Sequence, residues 1–269
     1  MFKRIGLTLL CAALHCMATE VLHPVLPPAT NINIETTFEL NDDIYSLDTK
    51  VSAEFSPVRR FSLYVDASFR FLSYSYELST EGYLHNYCNL HVNGFNETYL
   101  GLRSLVYKNI GIDVSWRLPP GEGSQLHRFH RMNFEPYTYL QISKAVTFGT
   151  AFRYSKFLED KNYKPGDEIG LKASFVWKQN WDETLKTGWK FSETFLYGAR
   201  IDDSENRNLD TPFRKMDDKY RGFKMRFDVM RSFNFSGLPI GVGLDYEIHK
   251  GNLFGFETGH RIGAYINLL

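Results

Sequence analysis

The stretch HNYCNLH contains side chains that are suited to metal binding. His85, Cys88 and His91 follow the spacing H-x2-C-x2-H, and imidazole and thiolate groups suit zinc, copper or iron. The surrounding segment 77–95 is predicted to be a loop, however, and spacing along an irregular loop fixes no ligand geometry. The sequence therefore offers a weak divalent-metal site, against the simpler interpretation that these are polar loop residues and that the protein binds no cofactor.

Acidic side chains in other presumed loops form a second candidate group. IDDSENRNLD, residues 201–210, carries enough oxygen atoms for calcium, although its spacing is not that of an EF-hand loop. Asp202, Asp203 and Asp218 could also join His249 at one rim as the acid–histidine couple of a hydrolase. No motif requires such an enzyme, and the alternating segments of the chain present no Ser–His pair for nucleophilic chemistry. We therefore predict that the protein is not an enzyme.

Strict alternation of apolar and polar residues defines the elements that would position these side chains. FSLYVDASFRF, residues 61–71, places apolar side chains on one face of an extended chain and mostly polar ones on the other, because successive side chains of a β-strand point to opposite faces. About twelve such segments follow one another. They begin near Ile32, Leu47, Phe61, Leu100, Ile110, Phe134, Val146, Ile169, Leu185, Phe223, Ile240 and Ile262. Most approach the roughly 9–11 residues that a tilted strand needs to cross a bilayer.

The polar faces of these segments indicate which side of the sheet meets water, because they carry charges of both signs. A soluble barrel of about twelve strands would enclose an apolar lumen too wide for its side chains to fill, since about eight strands leave just enough room. If the charged side chains face the lumen and the apolar ones face lipid, no polar group is left without water or a hydrogen-bond partner. Closure of the barrel also removes the sheet edges. The sequence thus predicts an all-β fold, a single antiparallel transmembrane β-barrel. The charged residues predicted to line its lumen are Asp66, Arg70, Arg103, Asp113, Arg117, Glu135, Arg153, Lys172, Lys190, Arg226, Asp228 and Asp245.

Composition and connections narrow the class of protein. The 269-residue chain has a net charge of +0, so it offers no basic surface for nucleic acid. Its mean hydropathy of -0.32 excludes a bundle of apolar membrane helices. Short turns are predicted at SPVRR, YKN, SKA and KQNW, and long loops at 77–95, 118–131, 158–167 and 200–218.

The N-terminal stretch MFKRIGLTLLCAALHCMA has the features of a secretory signal, with a positive start, an apolar middle and a small-residue cleavage site. We predict cleavage after Ala18, and lipidation of Cys11 or Cys16 is the alternative. The predicted organisation is a signal peptide at 1–18, a periplasmic lead-in at 19–30 and one barrel domain at 31–269.

In these features the chain resembles the bacterial outer-membrane β-barrel proteins over nearly all of its mature length. The features are the signal peptide, the two-residue repeat, aromatic residues near both rims, short turns alternating with long loops, and a last strand that runs to the end. The resemblance implies a porin-like protein of the Gram-negative outer membrane, in contact with lipid and lipopolysaccharide and inserted by the barrel assembly machinery. Members of the class usually end in Phe or Trp, whereas this chain ends INLL.

Two functions remain open at this point. A wet lumen with charges of both signs suits a narrow passive channel for small hydrophilic solutes. Balanced opposite charges can also form a salt-bridged network that closes the barrel, and the protein would then be a structural or surface-interaction barrel. In that alternative its extracellular loops would bind a partner or a metal.

Overall fold

The computed structural model of the protein describes residues 22–41, 44–78, 86–118, 130–158, 163–164, 166–202, 205–206, 221–251 and 258–269. In chain order its strands are β1 (Asn31–Asn41), β2 (Ile44–Val58), β3 (Phe61–Leu78), β4 (Asn86–Tyr107), β5 (Ile110–Leu118), β6 (Arg131–Gln141), β7 (Val146–Phe157), β8 (Tyr163–Lys164), β9 (Glu168–Asp182), β10 (Thr187–Arg200), β11 (Glu205–Asn206), β12 (Arg221–Phe235), β13 (Leu238–Lys250) and β14 (Thr258–Leu268). None of the described segments forms a helix long and apolar enough to cross a membrane.

Twelve of these strands close into one antiparallel barrel. Its neighbours, in order, are β1, β2, β3, β4, β5, β6, β7, β9, β10, β12, β13 and β14, and β14 returns to β1. The closing pair runs from Ile32 opposite Leu268 to Leu40 opposite His260. The short strands β8 and β11 pair with each other in a separate sheet. The predicted single antiparallel barrel of twelve strands is therefore confirmed.

The alternation in the sequence becomes an alternation between the outside and the inside of the barrel. On β1, Ile34 and Phe38 are 47% and 45% exposed, whereas Glu35 and Glu39 are 1% and 6% exposed. This is the reverse of a soluble protein, in which large apolar side chains are buried and charged ones face water. The structure thus has the predicted apolar exterior and polar interior, and such an exterior is stable against lipid rather than water.

Tight reversals lie at one end of the barrel, which we call the short-turn rim. It contains the reversals at 59–60, 108–109, 142–145, 183–186 and 236–237, together with the first residue of β1 and the last of β14. Lys108, Lys186 and Ser236 have φ angles of 44°, 52° and 51° there, the left-handed conformation that tight hairpin turns need. At the opposite end, the long-loop rim, many connecting residues lie outside the described part of the chain.

Two of the predicted connections are wrong. The sequence places a turn at KQNW, residues 178–181, but β9 continues to Asp182. The chain reverses after this residue because its Oδ1 accepts hydrogen bonds from the backbone N–H groups of Thr184 and Leu185, at 2.8 and 3.0 Å. The predicted loop 77–95 is too long, since β3 and β4 remain paired up to Leu78 and Asn86. Pairing there continues without the apolar alternation from which the strands were predicted.

One charged side chain interrupts the apolar exterior in the middle of β10. Glu193 is exposed and lies opposite Phe175 of β9 and Phe227 of β12, which are themselves 43% and 42% exposed. Lys156 and Lys250 also face outward, but they stand at the ends of their strands. Glu193 therefore places a carboxyl group at the depth at which the exterior is otherwise lined by aromatic rings.

Candidate functional site: the charged lumen

The inward-facing positions of the strands line a lumen that is dense in charge. All the charged residues predicted from the sequence to face inward do so, either as buried side chains of the polar rows or as residues of the central cavity. The structure gathers most of them into two groups on opposite walls; Asp66 and Lys190 belong to neither group. One group lies where the barrel closes, and the other lies on β4 to β9.

The first group, the seam cluster, lies beside the junction of β1 and β14. Its members are Glu35, Glu39, Asp48, Arg70, Lys224, Arg226, Asp245, Glu247 and Arg261. Arg226 is central, because its Nη1 and Nη2 donate to the two carboxylate oxygens of Glu35 at 3.2 and 3.1 Å. Its Nε also donates to Asp228 at 2.8 Å, and its Nη2 lies 3.4 Å from Asp245. One guanidinium therefore holds acidic side chains of three strands.

Arg261 ties the last strand to the first two. Its guanidinium nitrogens lie 3.9 Å from Glu39 on β1, 3.6 Å from Asp48 on β2 and 3.5 Å from Glu247 on β13. Arg70 of β3 binds Asp48 with two hydrogen bonds, both of 2.6 Å. Side chains of the seam cluster are 1% to 8% exposed, and charges buried to this degree persist only when they are paired. The cluster therefore fills one side of the lumen with fixed side chains.

The second group, the wall cluster, lies across the lumen on β4, β5, β6, β7 and β9. Arg103 donates from its Nε to Asp113 at 3.0 Å, and Lys172 donates to Glu135 at 2.7 Å. Arg153 lies 3.6 Å from the same glutamate. The acidic side chains of β5 and β6 thus lie between basic side chains of β4 on one side and of β7 and β9 on the other, and this pairing holds the charged side chains in place.

The N-terminal segment, residues 22–30, lies inside the barrel. The Val25 N–H donates to Ser174 Oγ of β9 at 2.9 Å, and the Val25 side chain packs with Tyr137 and Ala151. Gly149 permits this approach, since a Cβ there would lie 2.6 Å from the Val25 carbonyl oxygen. The segment therefore narrows the lumen from the β6, β7 and β9 side.

His23 joins this segment to the opposite wall. Its Nε2 lies 3.4 Å from the Lys50 ammonium, which also lies 3.3 Å from Asp66. Burial, together with the positive charge of Lys50, lowers the pKa of His23 to about 3. The imidazole is therefore neutral, and its Nε2 accepts a hydrogen bond from the Lys50 ammonium group.

A cavity of about 580 Å³ remains between these groups and reaches the short-turn rim, where Lys186 and Leu269 line it. Its walls carry six acidic and six Lys or Arg side chains, with Tyr64, Tyr99 and Trp181 among them. The volume lies within the roughly 300–1,000 Å³ typical of small-molecule sites. A polar cavity of this size can hold water, ions and small hydrophilic solutes.

The ion pairing across the barrel was not predicted from the sequence. Glu35, Lys50 and Glu247 alternate with apolar residues in the same way as the predicted lumen residues, so the two-residue repeat identifies them as inward-facing. Parity does not show that Glu35 meets Arg226, because their strands are far apart in the chain and come together only when the barrel closes. The inward course of the N-terminal segment has no sequence signal that we could identify.

The predicted metal ligands cannot be placed together. His85 lies outside the described residues, and Cys88 and His91 fall in a part of β4 that is described by its backbone alone. The metal site in this loop therefore stays a prediction.

The hydrolase couple gains no support from the described residues. His249 lies near the long-loop rim, but it faces the lumen, is 2% exposed and has its Nε2 3.9 Å from Glu39. Asp202 is exposed. Asp203 and Asp218 lie outside the described part of the chain.

Comparison with known proteins rests on structure. No protein-family model and no curated protein sequence matches the chain. The COG4313 outer membrane channel from Pseudomonas putida F1 is similar with a TM-score of 0.61 at 10% identity, over 93% of this chain and 99% of that one. The translocator domain of the autotransporter NalP from Neisseria meningitidis gives 0.54 at 7% identity, over 99% and 95%. The NanC porin gives 0.52 at 8% identity, over 88% and 99%. The chain therefore has the fold of the outer-membrane β-barrels.

Proposed function

We propose that the protein is an integral barrel of the bacterial outer membrane and acts as a narrow passive channel for small hydrophilic solutes. The observation that carries the proposal is the polar cavity of about 580 Å³ inside a closed barrel with an apolar exterior. An apolar exterior favours lipid, and a charged lumen gives solutes a wet path that a filled apolar core would deny them. Passage by diffusion needs no catalytic group, so we propose no enzymatic step and no cofactor.

The solute path runs between the seam cluster and the wall cluster. Fixed charges of both signs would set the local field along this path, as rings of charged side chains do in other pores. We assign this role to the wall-cluster residues Arg103, Asp113, Glu135, Arg153 and Lys172, which face the cavity or lie beside it. The N-terminal segment and the seam cluster make the path narrow, so small solutes are the expected cargo.

The closed barrel and its apolar exterior also support a location and partners for the protein. Outer-membrane lipid and lipopolysaccharide would surround the exterior, and the barrel assembly machinery would insert the chain. Two proteins of similar structure, an outer membrane channel and a porin, support a channel function for this chain. The neutral net charge gives no reason to propose a nucleic acid as a partner.

Conductance of the refolded chain tests the proposal. The chain without its predicted signal peptide, residues 19–269, would be reconstituted into a planar lipid bilayer, and folding would be checked by protease resistance in vesicles. Discrete and stable current steps are expected. A barrel that inserts in its folded form but passes no current would refute the channel and favour the closed barrel, whose loops would then be the working part.

A further inference from the structure

Two of the charged groups that line the cavity lie in no salt bridge with a described residue. Within the described chain, each acidic side chain of the cavity wall has a Lys or Arg nitrogen within 4.0 Å, and the longest of these distances is 3.4 Å, between Glu54 and Arg103. Lys186 and Lys190 also line the cavity, yet neither lies in a salt bridge with a described carboxylate. Arg103 pairs with both Glu54 and Asp113, and Asp66 pairs with Lys50, so two ammonium groups of the wall are left without a carboxylate among the described residues although its acidic and basic side chains are equal in number. Lys186 belongs to the turn before β10, and Lys190 lies near the start of β10.

The described residues next to Lys190 offer it no carboxylate that is not already bound. Its cross-strand neighbour on β9 is Lys178, and its neighbour on β12 is Met230, which is 2% exposed. Like charges directly opposite each other destabilise a sheet. The nearby Asp228 carboxylate is already held by Arg226 at 2.8 Å and by Ser192 at 3.1 Å. The fold thus tolerates an unfavourable arrangement of lysines at this point of the lumen.

A second donor without an acceptor among the described residues belongs to a residue of the same cavity wall. The indole Nε1 of Trp181 is buried and has no hydrogen-bond partner among the described residues, although Trp181 lines the cavity. Buried N–H groups almost always have an acceptor, and one left without it costs free energy. The Lys178 ammonium lies over the Trp181 ring at 5.0 Å and donates a hydrogen bond to Glu183 Oε1 at 2.9 Å. Three donors of this wall therefore have no acceptor among the described residues: the Trp181 indole N–H and the ammonium groups of Lys186 and Lys190.

We infer that Lys186, Lys190 and Trp181 form a binding site for an oxyanion, the carboxylate or phosphate group of a small solute, at the short-turn end of the lumen. An oxyanion supplies several acceptor atoms and a negative charge for the two ammonium groups that have no described carboxylate partner. The inference names a solute class for the proposed channel and rests on that function. It places the site where a solute passes between the cavity and the short-turn rim.

Binding of inorganic phosphate to the folded chain in detergent gives the first test. Phosphate should change the tryptophan fluorescence of the wild type, and Trp181→Phe should remove most of that change. Lys190→Met should weaken phosphate binding by about tenfold or more, because it removes a charged hydrogen bond to the anion. Lys144→Met is the matched control, since Lys144 is an exposed lysine of the same rim that does not line the cavity. Acetate in place of phosphate shows whether one carboxylate suffices.

Bilayer recordings give the second test and separate the two proposals. Phosphate should reduce the chloride current of the wild type, and Lys190→Met should shift the reversal potential towards cations and weaken this block, whereas Lys144→Met should do neither. Equal phosphate affinity and equal block in wild type and Lys190→Met would overturn the oxyanion site while leaving the channel intact. Lys190-dependent phosphate binding in a barrel that passes no current would refute the channel and leave the site standing.

Discussion

Replacing Arg226 with Met should weaken the barrel more than any exposed charge change, because Arg226 is the centre of the seam cluster. Its side chain is 5% exposed, and that of Glu35 is 1% exposed. The guanidinium supplies hydrogen bonds to both oxygens of the Glu35 carboxylate, at 3.1 and 3.2 Å. The variant leaves this carboxylate without those two donors in a site where it is buried.

The size of the loss follows from the burial. Removing one member of a buried ion pair costs about 3–5 kcal/mol, since the remaining charge stays desolvated. Asp228 retains the hydrogen bond from Ser192 at 3.1 Å, whereas the buried Asp245 also loses its contact with Arg226 at 3.4 Å. Glu35 and Asp245 should therefore account for most of the loss. Glu35→Gln in the same chain makes the buried group neutral. The double variant should therefore lose about 1–3 kcal/mol less than the sum of the two single variants.

Urea-induced unfolding in lipid vesicles, followed by tryptophan fluorescence, measures these free energies. Lys178→Met is the matched control, because its partner Glu183 is 60% exposed, and loss of an exposed pair costs no more than about 1 kcal/mol. A loss of less than about 1 kcal/mol in Arg226→Met, equal to that of Lys178→Met, would contradict the reasoning. The seam cluster would then not be what holds the closing strands together.

Three further changes test other parts of the molecule. A chain that begins at Asn31 lacks the N-terminal segment, so its conductance should exceed that of residues 19–269, and equal conductance would place the segment outside the solute path. Replacing Arg117 and Arg153 with Gln removes two inward positive charges, so the reversal potential in a salt gradient should shift towards cations; an unchanged potential would exclude both from the path. Glu193→Gln removes a charge from the lipid-facing exterior and should raise the free energy of unfolding in vesicles by about 1–2 kcal/mol. Glu183→Gln at the rim should change it by no more than about 0.5 kcal/mol, and equal effects would mean that Glu193 does not meet the acyl chains.

The barrel could be predicted because its two solvents impose one rule on each spanning strand. Lipid outside and water inside force a repeat of two residues, and segment 61–71 shows it without interruption. The rule fails at Lys178, whose polar neighbourhood indicates a turn although the side chain lines the cavity. It fails again beyond Leu78, where β3 and β4 pair outside the part that alternates. Strand ends are therefore less predictable than strand centres.

The lumen could be predicted as a set of side chains but not as a network. Parity places Arg226 inside the barrel, and nothing local shows that it meets Glu35, which lies 191 residues earlier. That contact depends on the stagger of the strands and on closure, which are properties of the whole sheet. That Lys190 has no described carboxylate partner follows from the pairing of its neighbours Asp228 and Lys178 with other side chains, which the sequence does not show.

The pairing of the last strand with the first has a consequence for how the molecule assembles. Each other pair of neighbours in the barrel is joined by one connection, whereas Ile32 meets Leu268 only after the whole chain has been placed. Closing a loop of that length costs on the order of 5 kcal/mol of chain entropy, unless earlier hairpins have already reduced it. The contacts that offset this cost form only when the barrel closes. They are the ladder between β1 and β14 and the contacts of Arg226 with Glu35 and of Arg261 with Glu39. A chain that loses β14 is therefore not a barrel one strand smaller. It is an open sheet with two bare edges and unpaired acids, so damage to the final strand acts on the entire molecule.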